Sequence, residues 1–360
     1  MGKFSTYRYL ELKDDTAAPH INVRSRALKP PRRLKKTFIL LIVAALCVTY
    51  FMGLFAGQTQ WFDGLAKSLG YESEYHHAVI IDAGSSGSRV LAYKFRVPFQ
   101  RKLGYDTRAG VEIMDGADEG IFIWYTINLL HSLMGGETMA ALDLGGGSTQ
   151  ITYQLAADDA HRLPAPDHHT VPTGATNITV YTHSYLNLGL LAARHGIFKM
   201  EAGNNVSREM TSVCVDPIVS GEKWTYGNVE YTISGKPWPK GSKKHEAFER
   251  CYLLVKKYIT ATLDWEPEEP PKGKVAAMSY FYDVAADAGL IANTACHSSN
   301  VEQPWACVDL TYVLALLHHA YKMSKETPIS LFKKVNGHEV SWALGLAYTS
   351  VMNRIAETPK

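Results

Sequence analysis

Two stretches of this chain place an aspartate at the same point of a similar pattern. "IIDAGSSGSRVLAYKF" (Ile80–Phe95) and "ALDLGGGSTQITY" (Ala141–Tyr153) each run from an apolar segment into Asp, through a turn of small residues, and out along a second apolar segment. Gly84, Gly87, Gly145, Gly146 and Gly147 lack the Cβ atoms that would keep an anion away from backbone N–H groups. Ser85, Ser86, Ser88, Ser148 and Thr149 add hydroxyl donors, and Arg89 borders the first turn. Asp82 and Asp143 would repel a bare phosphate. They make chemical sense if a divalent cation, with its water shell, sits between carboxylate and phosphate. One such loop alone reads equally well as a glycine-rich hairpin. The repetition, with Asp before both turns, favours phosphate chemistry.

A third stretch, "MDGADEGIFIWYTINLL" (Met114–Leu130), puts Glu119 between Asp118 and Gly120 at the start of an apolar helix. A carboxylate beside a phosphate site can orient and deprotonate a water for in-line attack. Asp118 and Asp115 compete for that role on chemistry alone, and simple capping of the helix is the plain alternative. No G-x-x-x-x-G-K-[ST] motif exists; Gly235-Lys236, for one, is followed by Pro237. Neither H-E-x-x-H nor C-x-x-C occurs, and the pairs His76-His77, His168-His169 and His318-His319 lack zinc-site spacing.

The elements that must position these residues lie beyond a polar lead. Ten basic and three acidic residues fall within residues 1–36. They are followed by Thr37–Ala56, "TFILLIVAALCVTYFMGLFA", twenty residues without a charge. At ~1.5 Å per residue this segment spans ~30 Å, a bilayer core. The basic flank predicts a cytosolic tail and an uncleaved type II anchor rather than a signal peptide, because the basic lead-in is long and no clear small-x-small cleavage site is present. A basic tail followed by a membrane span is not a nucleic-acid signature.

Cys47 falls inside the apolar span; Cys214, Cys251, Cys296 and Cys307 all lie beyond it. Four cysteines in an oxidising lumen allow three pairings. The sequential one, Cys214–Cys251 with Cys296–Cys307, is expected. Asn177-Ile178-Thr179 and Asn205-Val206-Ser207 are glycosylation sequons on the same side. Residues 57–74 read as a stalk. Val79–Ile81, Val90–Tyr93, Ala140–Leu144 and Gln150–Tyr153 read as strands. Ile121–Met134, Leu186–Arg194, Ala247–Tyr258, Leu310–Tyr321 and Val340–Ile355 read as helices, and Glu266–Pro271 as an exposed turn.

With these residues in view, the chain resembles the apyrase, or nucleoside triphosphate diphosphohydrolase, family, in its Golgi and secreted nucleoside diphosphatase branch. "IDAGSSGSR" resembles the family's first motif, "DGADEGIFIW" the third, "LDLGGGSTQI" the fourth and "VNGHEVSWALG" the fifth; "YTHSYLNLG" and "SYFYD" are also similar to family segments. The resemblance implies an α/β, actin-like fold of two ribonuclease H-like halves, each supplying one phosphate loop. It implies a hydrolase of nucleoside di- and triphosphates using Ca²⁺ or Mg²⁺, in a Golgi or other secretory membrane with its catalytic region lumenal. In its terms Glu119 is the general base, Ser148 and Gln150 place the attacking water, and Asp82 and Asp143 hold the metal through water. Trp342 lies near the phosphates. Tyr280 and Tyr282 are candidates for stacking on the base, with core packing an equal alternative.

The second family motif, of the form "ATAGLR", is absent. Fewer than twenty residues separate Phe95 from Met114, where the family's first half needs ~35–40 residues of further strands and helices. The interval reads as a deletion with its junction near Phe95–Arg96. The expected organisation is therefore a cytosolic tail (1–36), an anchor (37–56), a stalk (57–74), a truncated first half (75–118, completed by 342–358) and a second half (119–341).

Overall fold

A computed structural model describes residues 72–84, 87–100, 113–156, 167–173, 177–203, 207–241, 246–264, 270–288, 292–297 and 301–357. The anchor Thr37–Ala56, Cys47, Ser85, Ser86 and Asn205 lie outside them. So does most of the turn expected at Glu266–Pro271. Among the described residues no helix is long and apolar enough to cross a membrane.

The described residues open on a hairpin. β1 (Glu72–Gly84) pairs antiparallel with β2 (Gly87–Gln100), with Asp82 opposite Arg89 and Gly84 opposite Gly87. Its first strand begins three residues inside the expected stalk. α1 (Gly116–Leu130) follows, then β3 (Ala140–Leu144), β4 (Ser148–Gln154), β5 (His168–Pro172) and β6 (Asn177–Leu186). Next come α2 (Leu190–Ala202), the short strands β7 (Glu209–Ser212), β8 (Glu222–Tyr226) and β9 (Val229–Gly235), and α3 (Glu246–Thr262). β10 (Val275–Ser279) leads directly into α4 (Tyr280–Ala288), followed by α5 (Ala292–His297) and α6 (Ala306–Ala315). β11 (Ile329–Leu331), β12 (Lys334–Val335), β13 (His338–Glu339) and α7 (Trp342–Glu357) complete the described chain.

The main sheet has six strands in the order β11-β10-β3-β4-β6-β5. β10 runs parallel to both β3 and β11, and the β3-β4-β6-β5 run is antiparallel. The fold is thus mixed α/β. β3, "AALDL", is buried along its whole length, as suits a central strand covered on both faces. Strand alternation divides its apolar residues between two cores. Leu142, Leu144, Ile151 and Tyr185 face one core with residues of α2, α3 and α6. Ala141, Ala276, Met278 and Val180 face the other with Ile121, Ile123, Trp124 and Ile127 of α1.

Helix sequences match these covers. α3 buries Ala247, Cys251, Val255, Tyr258 and Ile259, one face of a helix, while α1 is apolar over most of its surface and is buried along most of its length. The helix expected from Leu186 begins only at Leu190, because Leu186 ends β6 and Asn187 turns the chain with φ 67°. The expected disulfides, Cys214–Cys251 and Cys296–Cys307, are both formed. They tie the segment after β7 to α3 and α5 to α6.

Candidate active site

Register places the site on one face of the sheet. Asp143 of β3 is opposite Gln150 of β4, which is opposite Ser184 of β6. This row lies on the side that α1 covers. α1 approaches closely because it carries glycine where it meets the strands: a Cβ on Gly116 would fall 2.2 Å from Ser184 Oγ, and one on Gly120 would fall 2.5 Å from Thr182 Oγ1. Between those glycines stands Glu119. Gln150 Nε2 donates to Glu119 Oε2 at 2.7 Å, and is also 2.9 Å from Ser148 Oγ and 3.2 Å from Ser184 Oγ. The other amide atom, Gln150 Oε1, is buried with no partner among the described residues.

Helix geometry separates the three acidic candidates. Asp115 is the N-cap, its side chain accepting from the Ala117 N–H at 3.3 Å. Asp118 is exposed. Glu119 alone turns into the site. Burial pushes its carboxyl up to about 7, with the charges of Asp143 and then Asp82 adding to the rise and the Gln150 bond opposing it. A carboxyl near 7 is matched to accept a proton from water at neutral pH.

The second glycine-rich loop is clamped from behind. Leu190 N–H donates to Gly145 O and Ala192 N–H to Gly146 O, each at 2.9 Å, so the N-terminus of α2 holds two of its carbonyls. No peptide among the described residues is cis. In a trans peptide the N–H points opposite its C=O, so the N–H groups of Gly146 and Gly147 face away from α2, as an anion-binding loop requires. Gly189 permits the clamp, since a Cβ there would lie 2.4 Å from Ser148 N. Thr149 turns inward, its Oγ1 2.7 Å from Asp143 O and 2.8 Å from the Tyr321 hydroxyl.

Asp143 is 4% exposed. Burial pushes its carboxyl up; a hydrogen bond from Ser279 and the charge of Arg89 act against that rise, and Asp82 adds to it. Asp82, 6% exposed, accepts from Arg89 Nη2 at 2.9 Å, and Arg89 Nη1 reaches Glu339 Oε1 at 3.3 Å. The mutual influence of Asp82, Asp143 and Glu119 places the hairpin's carboxylate in the field of the sheet's site. Hard carboxylate oxygens suit Ca²⁺ or Mg²⁺. Among the described residues no group of three or more His, Cys, Asp or Glu side chains is arranged to hold an ion.

The other expected residues make different contacts. Trp342 begins α7, half-buried against the core shared with α1. Tyr280 packs on the opposite core, and the ring of Tyr282 lies 5.8 Å from Lys333 Nζ. Ser88 and Gly87 are exposed at the hairpin turn. Asn177 is exposed at the start of β6. Sequence reading missed Ser184, Ser279, Tyr321 and Glu339 as partners of the site. Three of them sit inside quoted segments, "YTHSYLNLG", "SYFYD" and "VNGHEVSWALG", where the segment was noticed and the residue was not. Nothing local marked Tyr321.

The GDA1/CD39 (nucleoside phosphatase) family matches residues 97–270 and 287–358. The chain is 30% identical over 277 residues to nucleoside-diphosphatase uda-1 of Caenorhabditis elegans, covering 67% of this chain and 56% of that protein. It is 32% identical over 288 residues to nucleoside diphosphate phosphatase ENTPD5 of Homo sapiens, covering 72% and 65%. The chain therefore spans between 56% and 65% of the length of these two relatives. A crystal structure of nucleoside triphosphate hydrolases from Neospora caninum aligns with a TM-score of 0.46 at 14% identity, covering 68% of this chain and 65% of that one.

Proposed function

We propose a hydrolytic function from one premise: the chain belongs to the GDA1/CD39 (nucleoside phosphatase) family. The reaction is hydrolysis of the terminal phosphate of nucleoside di- and triphosphates such as GDP or UDP. One observation carries it: Glu119, raised to about 7 and bonded to Gln150, stands beside carboxylates from both glycine-rich loops. Asp82 and Asp143 would hold Ca²⁺ or Mg²⁺ through water, and the ion would offset phosphate charge. Gly84, Ser85, Ser86, Gly87, Ser88 and Arg89 form the first phosphate cradle, and Gly145, Gly146, Gly147, Ser148 and Thr149 the second.

Glu119 takes a proton from the attacking water, which Ser148 and Gln150 help to place. Ser148 fixes the amide. The water oxygen bonds to the terminal phosphorus as the bridging oxygen leaves with the shorter nucleotide. Trp342 closes the phosphate end, and Tyr280 and Tyr282 border the base. The body, with Asn177 and Asn205 glycosylated, lies in the lumen of a Golgi or other secretory membrane behind the Thr37–Ala56 anchor.

The two halves of an actin-like fold are unequal in this chain. The first is reduced to the hairpin, completed by α7, and its missing strands and helices correspond to a deletion near Phe95–Arg96. The family match supports this reading, since it begins at residue 97 and leaves the first loop outside. A second reading follows: a membrane-anchored, catalytically weak variant that still binds nucleotide. Val79, Ile81 and Val90 favour it, being 63%, 69% and 69% exposed on the hairpin.

Phosphate release from GDP and UDP with Ca²⁺ or Mg²⁺ tests the chemistry in a chain with the missing segment restored. Glu119→Gln lowers turnover by about 10²–10⁴-fold while sparing nucleotide binding, because it keeps shape and removes basicity. Full activity in that variant sinks the assignment.

A further inference from the structure

Ser279 is the last residue of β10 and immediately precedes α4. Serine before a helix commonly sits on extended backbone and caps it. Here φ is +56°, the left-handed region that a side-chain-bearing residue rarely adopts. Its hydroxyl lies 2.5 Å from Asp143 Oδ1, across the parallel pair in which Met278 is opposite Asp143 and Ser279 opposite Leu144. An ionised carboxylate accepts only, so Ser279 is the donor.

Backbone strain at one residue, a short bond to a buried carboxylate and a position in the adjacent strand all concern the same pair. Persistent left-handed backbone at a non-glycine residue is a pointer to function when the side chain it aims has a partner in the site. We propose that Ser279 is the positioning residue that locks one oxygen of Asp143 and so leaves the other turned to the cation's water shell. This rests on the reading of Asp143 as a cation-holding carboxylate. Arg89 does the equivalent for Asp82, binding Oδ2 at 2.9 Å. Each loop's aspartate is then oriented by a donor outside its own turn, one from the facing strand of its hairpin and one from the neighbouring strand of its sheet.

Glycine separates positioning from mere stability, because it relieves the left-handed backbone while removing the hydroxyl. The full, solubilised chain is titrated with MgCl₂ and, separately, CaCl₂, and its melting temperature followed. Wild type melts higher as cation is added. Ser279→Gly melts at the same temperature as wild type or higher without cation, yet needs about tenfold more cation to reach half of the shift. Ser279→Asn restores a donor in a residue that tolerates left-handed backbone, and recovers much of the lost affinity. Equal cation dependence in wild type and Ser279→Gly overturns the proposal and leaves the reading of the site standing. No cation-dependent shift in wild type overturns that reading, and the inference with it.

Discussion

The two glycine-rich loops share a sequence design but not a foundation. The loop after β3 sits in a strand buried on both faces, with its carbonyls held by the N-terminus of α2 and its aspartate held by Ser279. The loop after β1 tops a two-stranded sheet whose Val79, Ile81 and Val90 stay exposed. Its aspartate is held by Arg89, itself exposed and tied to Glu339. The hairpin packs on α7, with the rings of Phe95 and Tyr348 6.5 Å apart. Each uncovered Val or Ile forgoes about 1.5–3 kcal/mol of burial, and a two-stranded hairpin is marginal in water by itself. A phosphate loop's residues therefore specify what it can bind, while the layers behind it specify whether it is held where binding leads to reaction.

The largest test of this contrast inserts the strands and helices proposed to be deleted near Phe95–Arg96. If they support the first loop, phosphate release from GDP or UDP rises by about 100-fold or more over the chain as written, since misplacement by ~1 Å costs that much. Equal activity in both chains would show that the hairpin stands without its layer and would remove the deletion from the account.

Stability should respond on the other side of the contrast. The Cys214–Cys251 bridge closes a 37-residue separation and Cys296–Cys307 an 11-residue one, both in the layers of the main sheet. Loop-closure entropy gives about 4 and about 3 kcal/mol respectively. Replacing each pair by serine should lower the denaturant midpoint in that order. Loss of either pair without any effect would mean that this region is not the stable half.

Much of this architecture was legible. The apolar runs flanking Asp143 announced β3 at its observed bounds and β4 to within two residues, whereas those flanking Asp82 marked only the inner part of two much longer strands, and the helix read from Ile121 begins at Gly116. Both disulfides followed the sequential order of the cysteines. What was not legible were contacts between elements distant in sequence. Nothing around Ser279 shows that β10 lies parallel to β3 and brings it to Asp143. Nothing around Gly116 and Gly120 shows that these two residues let α1 rest on β6. Such residues act through register and approach, which only the assembled sheet defines.

That close approach gives the next test. Gly120→Ala places a methyl 2.5 Å from Thr182 Oγ1 and 2.7 Å from Thr152 Oγ1, two buried hydroxyls that are themselves 2.7 Å apart. The helix must lift, at about 1–3 kcal/mol for an overpacked core. Turnover of the restored chain should fall with the stability because Glu119 lifts away from Gln150. Unchanged melting in the alanine variant would show that the helix does not sit as closely as described.

The smallest effect tests whether the hairpin's carboxylate acts on the sheet's base at all. Glu119 stands at about 7 because it is buried, and then because Asp143 and Asp82 lie near it. Its folded value exceeds the ordinary carboxyl value of 4.5, so the folded chain keeps a proton that the unfolded chain releases. This group's contribution to stability is therefore present below about 4.5 and lost as pH rises through about 7, opposite to a salt-bridged carboxylate. If Glu119 is the base proposed above, its reactive, deprotonated form grows over the same interval, and activity should rise where this source of stability is lost. A ¹³C-carboxyl titration of the full chain in chelator follows the proton directly and keeps cations from masking the carboxylates. Wild type should titrate near 7, and Asp82→Asn should move the midpoint lower, because one neighbouring negative charge is gone. Asp118→Asn, an exposed change on the same helix, should leave it in place. A wild-type midpoint near 4.5 would show that Glu119 is solvated rather than buried. A midpoint near 7 that ignores Asp82→Asn would show that the hairpin loop does not reach the site in this chain, leaving the sheet's half to hold its base alone.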